Sequence, residues 1–213
     1  MKIRIDSEGR DVTDLYGLHD ESDRILEVMK SPITILIDTA EQHPFSFTSI
    51  KADAKDDYQP LAVDTVRQCL GRHPDSLGDY SFHANGIGSA VGRCHIERKS
   101  IEDLQSTILG FNDGHRQRFE QELANLDRIE SGMVVVEANE IDVVANAPEY
   151  GKKTKQQNAK ILFRSLISFR QRFPRVQWCF AGSRSMAELY AYWFFFRFYE
   201  KEFLKPNSIL DEV

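Results

Sequence analysis

The chain has 213 residues, 41% of them hydrophobic and 28% charged, with a formal net charge of -6. That composition excludes a disordered chain, and the negative balance argues against a protein that coats nucleic acid through a uniformly basic surface. No apolar run approaches the ~20 residues a membrane-spanning helix needs; with no apolar signal segment at the N-terminus and only three scattered cysteines, Cys69, Cys94 and Cys179, a cytoplasmic protein without disulfides or structural zinc is expected.

Residues 1–31 are polar, with Ile25, Val28 and Met29 spaced for one amphipathic turn, and read as an extension ending at Ser31-Pro32. Residues 33–37 (ITILI) predict a buried strand that ends at Asp38. Residues 43–60 predict a loop, 65–70 a second strand, and 71–78 (GRHPDSLG) a turn. Residues 79–84 and 88–99 predict two strands joined through the NGIG turn.

Helices follow. Ser100 and Asp103 have capping-box spacing ahead of Leu104 and Ile108. After a break at 110–114, residues 115–130 carry Phe119, Leu123, Leu126 and Ile129 on one helical stripe. A buried strand is predicted at 133–138 (MVVVEA), then a helix over 156–173 with Leu162, Phe163, Leu166 and Ile167 inward. A strand at 176–181 and a helix over 185–203 complete the chain. Strand and helix alternate in the second half, which implies parallel pairing through helical crossovers. The expected fold is α/β: a single domain over 32–205 with a mixed central β-sheet flanked by helices, and 206–213 as a tail.

The segment IERKSIED carries the chemistry. Along a strand Glu97 and Lys99 share one face and Arg98 takes the other. Asp79 opens the strand expected to pair with this one, so Asp79 and Glu97 are placed to hold one hard cation through carboxylate oxygens, with Lys99 beside it. Each residue alone has an ordinary explanation: Asp79 as a turn residue after Gly78, Asp103 as a helix cap, Glu97 with Lys99 as a solvated pair. The order and spacing together favour a metal site. None of the six histidines shows ligand spacing.

GDY, then ERK, then Asp103 three residues on resembles the GDxnERKxxxD signature of the XPF-type nuclease domain family. ILIDTAEQHPF upstream resembles that family's first motif, and RQRF within HRQRFEQELANL its arginine-bearing helix. The resemblance runs from about Ile33 to Glu202. It implies a restriction-endonuclease-like fold and a Mg2+-dependent endonuclease, with Mn2+ able to substitute, acting on DNA of flap, fork or branched structure in repair or recombination. By position it makes Asp79, Glu97 and the main-chain carbonyl of Arg98 the metal ligands and Lys99 the water-activating or phosphate-contacting group. Asp38 and Glu41 complete the acidic cluster, Arg98 and Asp103 support it, and Arg116 and Arg118 meet nucleic acid. One position departs: Ala40 stands where the family commonly carries arginine.

Between Gly151 and Arg175 the chain has eight basic residues and no acidic one. Lys152, Lys153 and Lys155, in a loop before a helix, are the expected phosphate contacts. The last helix, with Tyr190, Trp193, Phe194, Phe195, Phe196 and Phe198, is apolar on almost every face. It is either a central core helix or one whose outer side pairs with a second copy or a related partner. For a DNA enzyme, a nucleoid-associated or nuclear location becomes the alternative to the general cytoplasm. The competing function is a catalytically silent DNA-binding or scaffolding domain of the same fold.

Overall fold

A computed structural model describes residues 2–5 and 26–204, apart from 54–55, 73 and 112–113. The C-terminal tail and most of the expected extension, including Ile25, lie outside the described residues. The strands are β1 (Lys2–Ile5), β2 (Leu26–Lys30), β3 (Ile33–Asp38), β4 (Leu61–Ala62), β5 (Thr65–Gln68), β6 (Tyr80–Ala84), β7 (Gly88–Ser89), β8 (Cys94–Lys99), β9 (Ser131–Val136) and β10 (Val176–Phe180). The helices are α1 (Ile101–Leu109), α2 (His115–Leu126), α3 (Glu140–Ala145), α4 (Lys155–Arg172) and α5 (Arg184–Tyr199), the last running into a π-helical turn at Glu200–Leu204.

The main sheet is mixed, in the order β10-β9-β8-β6-β3-β5, with β7 added to β6. β8, β9 and β10 are mutually parallel, β6 runs antiparallel to both β3 and β8, and β3 is parallel to β5. The C-terminal ends of β3, β8, β9 and β10 therefore reach one edge of the sheet, beside the start of β6. The crevice beyond such strand ends is where open α/β sheets bind ligands.

Period-two alternation assigns the faces. Met133 and Val135 pack with Ile35, Tyr80, Phe82 and Ile96 against Ala187, Ala191, Tyr192 and Phe195 of α5. Val134 and Val136 face the other way, onto Leu104, Ile108, Phe119, Leu123, Leu162, Leu166 and Phe169 of α1, α2 and α4. Helices thus cover both faces, as expected for an α/β fold. Among the described residues no helix is long and apolar enough to cross a membrane.

Four local expectations need correction. Leu26–Lys30 is not a helical turn of an extension; it pairs antiparallel with β1 and parallel with β4. Residues 88–99 are not one strand, because a turn at 90–93, with Gly92 at φ 79°, separates β7 from β8. Phe163 and Ile167 are 53% and 45% exposed. The inward stripe of α4 is Asn158, Leu162, Ser165, Leu166 and Phe169, set by helical period rather than by apolarity. α3 was not foreseen; it is one and a half turns long and buries only Val143, too little for a periodic signal.

Candidate active site

Gly78 opens the site. Its φ of +110° disfavours a side chain, and a Cβ there would lie 2.7 Å from the Ile96 carbonyl oxygen. This close approach lets the Asp79 N–H donate to Ile96 O at 2.8 Å while Asp79 O accepts from the Asp38 N–H at 2.7 Å. Asp79 is so stitched between β3 and β8, and its Oδ2 accepts from the Arg98 N–H at 2.8 Å.

Glu97 is buried at the end of β8, and Lys99 Nζ lies 2.8 Å from its Oε1. The same ammonium is 3.2 Å from Asp103 Oδ2 and 5.0 Å from the centre of the Phe119 ring. Ser100 caps α1 by accepting from the Asp103 N–H at 3.1 Å. Asp103 therefore meets the helix cap through its main-chain N–H and the cleft through its carboxylate.

Arg98 turns to the other side. Its guanidinium binds Glu41 through Nε at 2.9 Å and Nη2 at 3.2 Å, and Glu137 through Nη1 at 2.9 Å. Glu137 also accepts from Arg184 Nη1 at 2.6 Å, while Arg184 Nη2 donates to the carbonyls of His43 and Pro44 at 2.8 and 2.7 Å. These chains frame a cleft of about 990 Å³, lined among others by Ala40, Glu41, Asp79, Glu97, Arg98, Lys99, Asp103, His115, Glu137 and Arg184.

Charge explains the proton affinities. Burial, reinforced by Glu97, raises the Asp79 carboxyl well above the usual range, with Lys99 and the Arg98 N–H pulling only partly back. Burial works against the Lys99 ammonium, but Glu97, Asp103, Glu122 and Asp79 outweigh it and hold Lys99 firmly protonated. Glu41 is pushed up by burial, yet its hydrogen bonds to Arg98 and the His43 N–H leave it below normal. Glu122, on α2, is raised to about 8 by burial and then by Glu97 and Asp103.

The lining contains five carboxylates (Glu41, Asp79, Glu97, Asp103, Glu137) against three cations (Arg98, Lys99, Arg184). With Asp79 holding its proton the cleft has one negative charge in excess; ionising it makes two, which a divalent cation would offset. Asp79 and Glu97 are hard oxygen donors of the kind Mg2+ takes. Ile96 O faces β6 and Lys99 O accepts from Glu137 N on the β9 side, so alternation turns the Arg98 carbonyl toward the Asp79 side. Among the described residues no three Asp, Glu, His or Cys side chains converge on one ion. The Asp79 and Glu97 carboxylates and the Arg98 main-chain oxygen are hard donors of the kind a Mg2+ ion would take.

Of the residues expected from the sequence, Glu41, Asp79, Glu97, Arg98, Lys99 and Asp103 all line this cleft. Asp38 does not. Its two oxygens accept from the N–H groups of Ala40 at 2.7 Å and Leu70 at 2.6 Å, so it braces the loop that carries Glu41. Arg118 lines a smaller hollow of about 180 Å³ that continues past Lys99, Asp103 and Glu122. Arg116 points elsewhere: it donates to Ile108 O at 3.0 Å, pairs with Glu120 at 3.2 Å and stacks over Phe169, tying α2 to α1. Lys152, Lys153 and Lys155 are exposed, but Lys155 is the first residue of α4 rather than part of a loop. Tyr150, stacked 3.8 Å from Phe111, anchors their turn beyond the end of α1, ~13 Å of helix from the cleft. Further along the basic run, Arg170, Arg172 and Arg175 are paired with Glu140, Glu120 and Asp127.

Among the residues that sequence reasoning missed are Glu137, His115 and Arg184 in this cleft and Glu122 in the adjoining hollow. Glu137 was signalled, as the acid ending the parallel strand beside ERK. Glu122 was signalled too, one turn from Arg118 on the face Phe119 presents. His115 and Arg184 carried no signal, since only tertiary packing brings them to the cleft. No family model matches the chain, and no curated protein matches it.

Proposed function

We propose that this chain is a metal-dependent DNA endonuclease of restriction-endonuclease-like fold, using Mg2+ or Mn2+. The observation that carries the reading is the meeting of Asp79, Glu97 and Lys99 at one sheet edge, with Lys99 Nζ 2.8 Å from Glu97 and Asp79 pinned by the Arg98 N–H. Asp79, Glu97 and the Arg98 carbonyl would hold the cation, which supplies a water of lowered pKa and stabilises charge on the phosphate. Lys99, paired with Glu97 and Asp103, would contact the phosphate or activate the attacking water. Asp103 orients Lys99, and Arg98 braces Glu41 and Asp79. Arg118 and the turn bearing Lys152 and Lys153, with Lys155, contact the DNA backbone farther out. A preference for flap, fork or branched DNA, and a role in repair or recombination, rest on the motif resemblance alone. Pairing with a second copy through the outer side of α5 belongs to the same reading.

The test is cleavage of duplex, flap, forked and single-stranded DNA with Mg2+, Mn2+ or EDTA. Cutting should need the metal, and Asp79→Ala or Glu97→Ala should abolish it without unfolding the protein. Undiminished cutting by either variant at saturating Mg2+ removes the assignment. The competing reading, a silent DNA-binding scaffold, draws on the small Ala40 in the cleft wall; binding without cutting under every metal would favour it.

A further inference from the structure

The cleft has three cations, and they differ in availability. The side chains of Arg98 and Lys99 are each 11% exposed, and each is ion-paired to two carboxylates. Arg184 is 43% exposed. It stands at the start of α5 in the cleft lining, beside the exposed Ala40 wall. Its contacts with Glu137 and the carbonyls of His43 and Pro44 use three of the five guanidinium N–H groups, and its plane is propped on the Phe45 ring at 5.1 Å. The arrangement holds the guanidinium in a fixed pose while leaving donors to spare. A bound phosphate can take those up, since a guanidinium fork matches its oxygens.

We propose that Arg184 binds a backbone phosphate of the DNA strand next to the one being cut. The inference rests on the nuclease reading above and adds a direction to it. Lys99 and Asp103 lie on the α1–α2 side of the sheet, whereas Arg98, Glu137 and Arg184 lie toward α5. A strand held by both Lys99 and Arg184 crosses the sheet edge from one helical layer to the other, over Asp79 and Glu97.

Binding of a fluorescein-labelled forked DNA, followed by anisotropy in Ca2+ across a salt series, tests this, together with cleavage in Mg2+. Arg184→Gln removes the charge and keeps a polar side chain. It should weaken binding about tenfold and lower the slope of log K against log salt by ~0.7–0.9, one phosphate contact. In cleavage it should raise KM far more than it lowers kcat. Arg184→Lys should retain the slope. Glu137→Gln, which removes the anion partner and keeps the guanidinium, should leave the slope unchanged or steepen it. An unchanged slope in Arg184→Gln, or an equal flattening in Glu137→Gln, makes Arg184 a brace for Glu137 and overturns the inference while wild-type cutting stands. A wild type that cuts no DNA under any metal overturns the nuclease reading, and this inference falls with it.

Discussion

Lys99 carries the sharpest test at the scale of single residues. Its ammonium is buried beside Glu97 and Asp103, and its proposed contribution is greatest in the transition state, as charge grows on the phosphate. Lys99→Ala should lower kcat by ~100-fold or more and leave DNA affinity nearly unchanged; equal losses in both would reduce Lys99 to a plain phosphate contact. Glu122 gives the pH dependence. Its folded pKa of about 8 lies above its ordinary value, so the folded state binds the proton more tightly than the unfolded one. Stability should then fall as pH rises from about 4.5 toward 8, and the loss is complete above that. In EDTA, Glu122→Gln should flatten this decline and melt a few degrees higher than the wild type near pH 9, at about 2–4 °C per kcal/mol for a chain of this size. Melting curves that stay parallel across the pH range would show that Glu122 is not held protonated. The same residues mark the limit of reading motifs. Asp79, Glu97, Lys99 and Asp103 were legible because their spacing is local. Asp38 sits in an equally suggestive motif, yet both its oxygens are taken by backbone N–H groups.

Among the elements, the junction of β6 with β8 does the most to place the site. Among the described residues Tyr80 opposite Ile96 is their one registered pair, so the approach of Gly78 to Ile96 O and the Asp79 hydrogen bonds set the geometry. Gly78→Ala puts a methyl group 2.7 Å from that oxygen at a φ of +110°. It should cost ~2 kcal/mol or more of stability, read from the urea midpoint, and should also cut cleavage by displacing Asp79. Wild-type stability and activity together would mean that the loop relaxes without consequence. Element boundaries were mostly visible in the sequence, because buried strands such as VVV and stripes such as Phe119–Leu123–Leu126 carry their period openly. The break between β7 and β8 was not, since residues 88–99 have no proline and their glycines also suit a hairpin.

Across the whole molecule, α5 buries Ala187, Ala191, Tyr192, Phe195, Phe198 and Tyr199 against the sheet, leaving Tyr190 49% exposed and Trp193, Phe194 and Phe196 half-buried. Trp193, Phe194 and Tyr190 line a groove with Trp178 and Cys179 of β10, the edge strand. One side of this helix is therefore core, and the other presents half-buried and exposed aromatic side chains. Among the described residues the groove joins an edge strand to aromatic side chains, a combination that favours self-association. Light scattering at micromolar concentration should give a dimer, and Phe194→Glu should return it to a monomer with the core intact. A wild-type monomer throughout the micromolar range would remove the pairing.

What the sequence by itself determined is whatever repeats or spaces locally: an α/β chain, the strands and helices of its second half apart from the short α3, and a carboxylate–carboxylate–lysine set between Gly78 and Asp103. Periodicity is a property of neighbouring residues, so it survives without coordinates. Tertiary structure alone decided which side chains share the cleft. Arg184 and Glu137 are 47 positions apart and meet because β9 and β10 are parallel and end at one sheet edge. Arg116 and Arg118 are two positions apart and diverge because successive helical residues turn by ~100°. Arg116 braces Ile108 and Phe169, and Arg118 faces Glu122 and Lys99. Contact between distant residues depends on strand order and crossover packing, and neither is written in any short stretch of the chain.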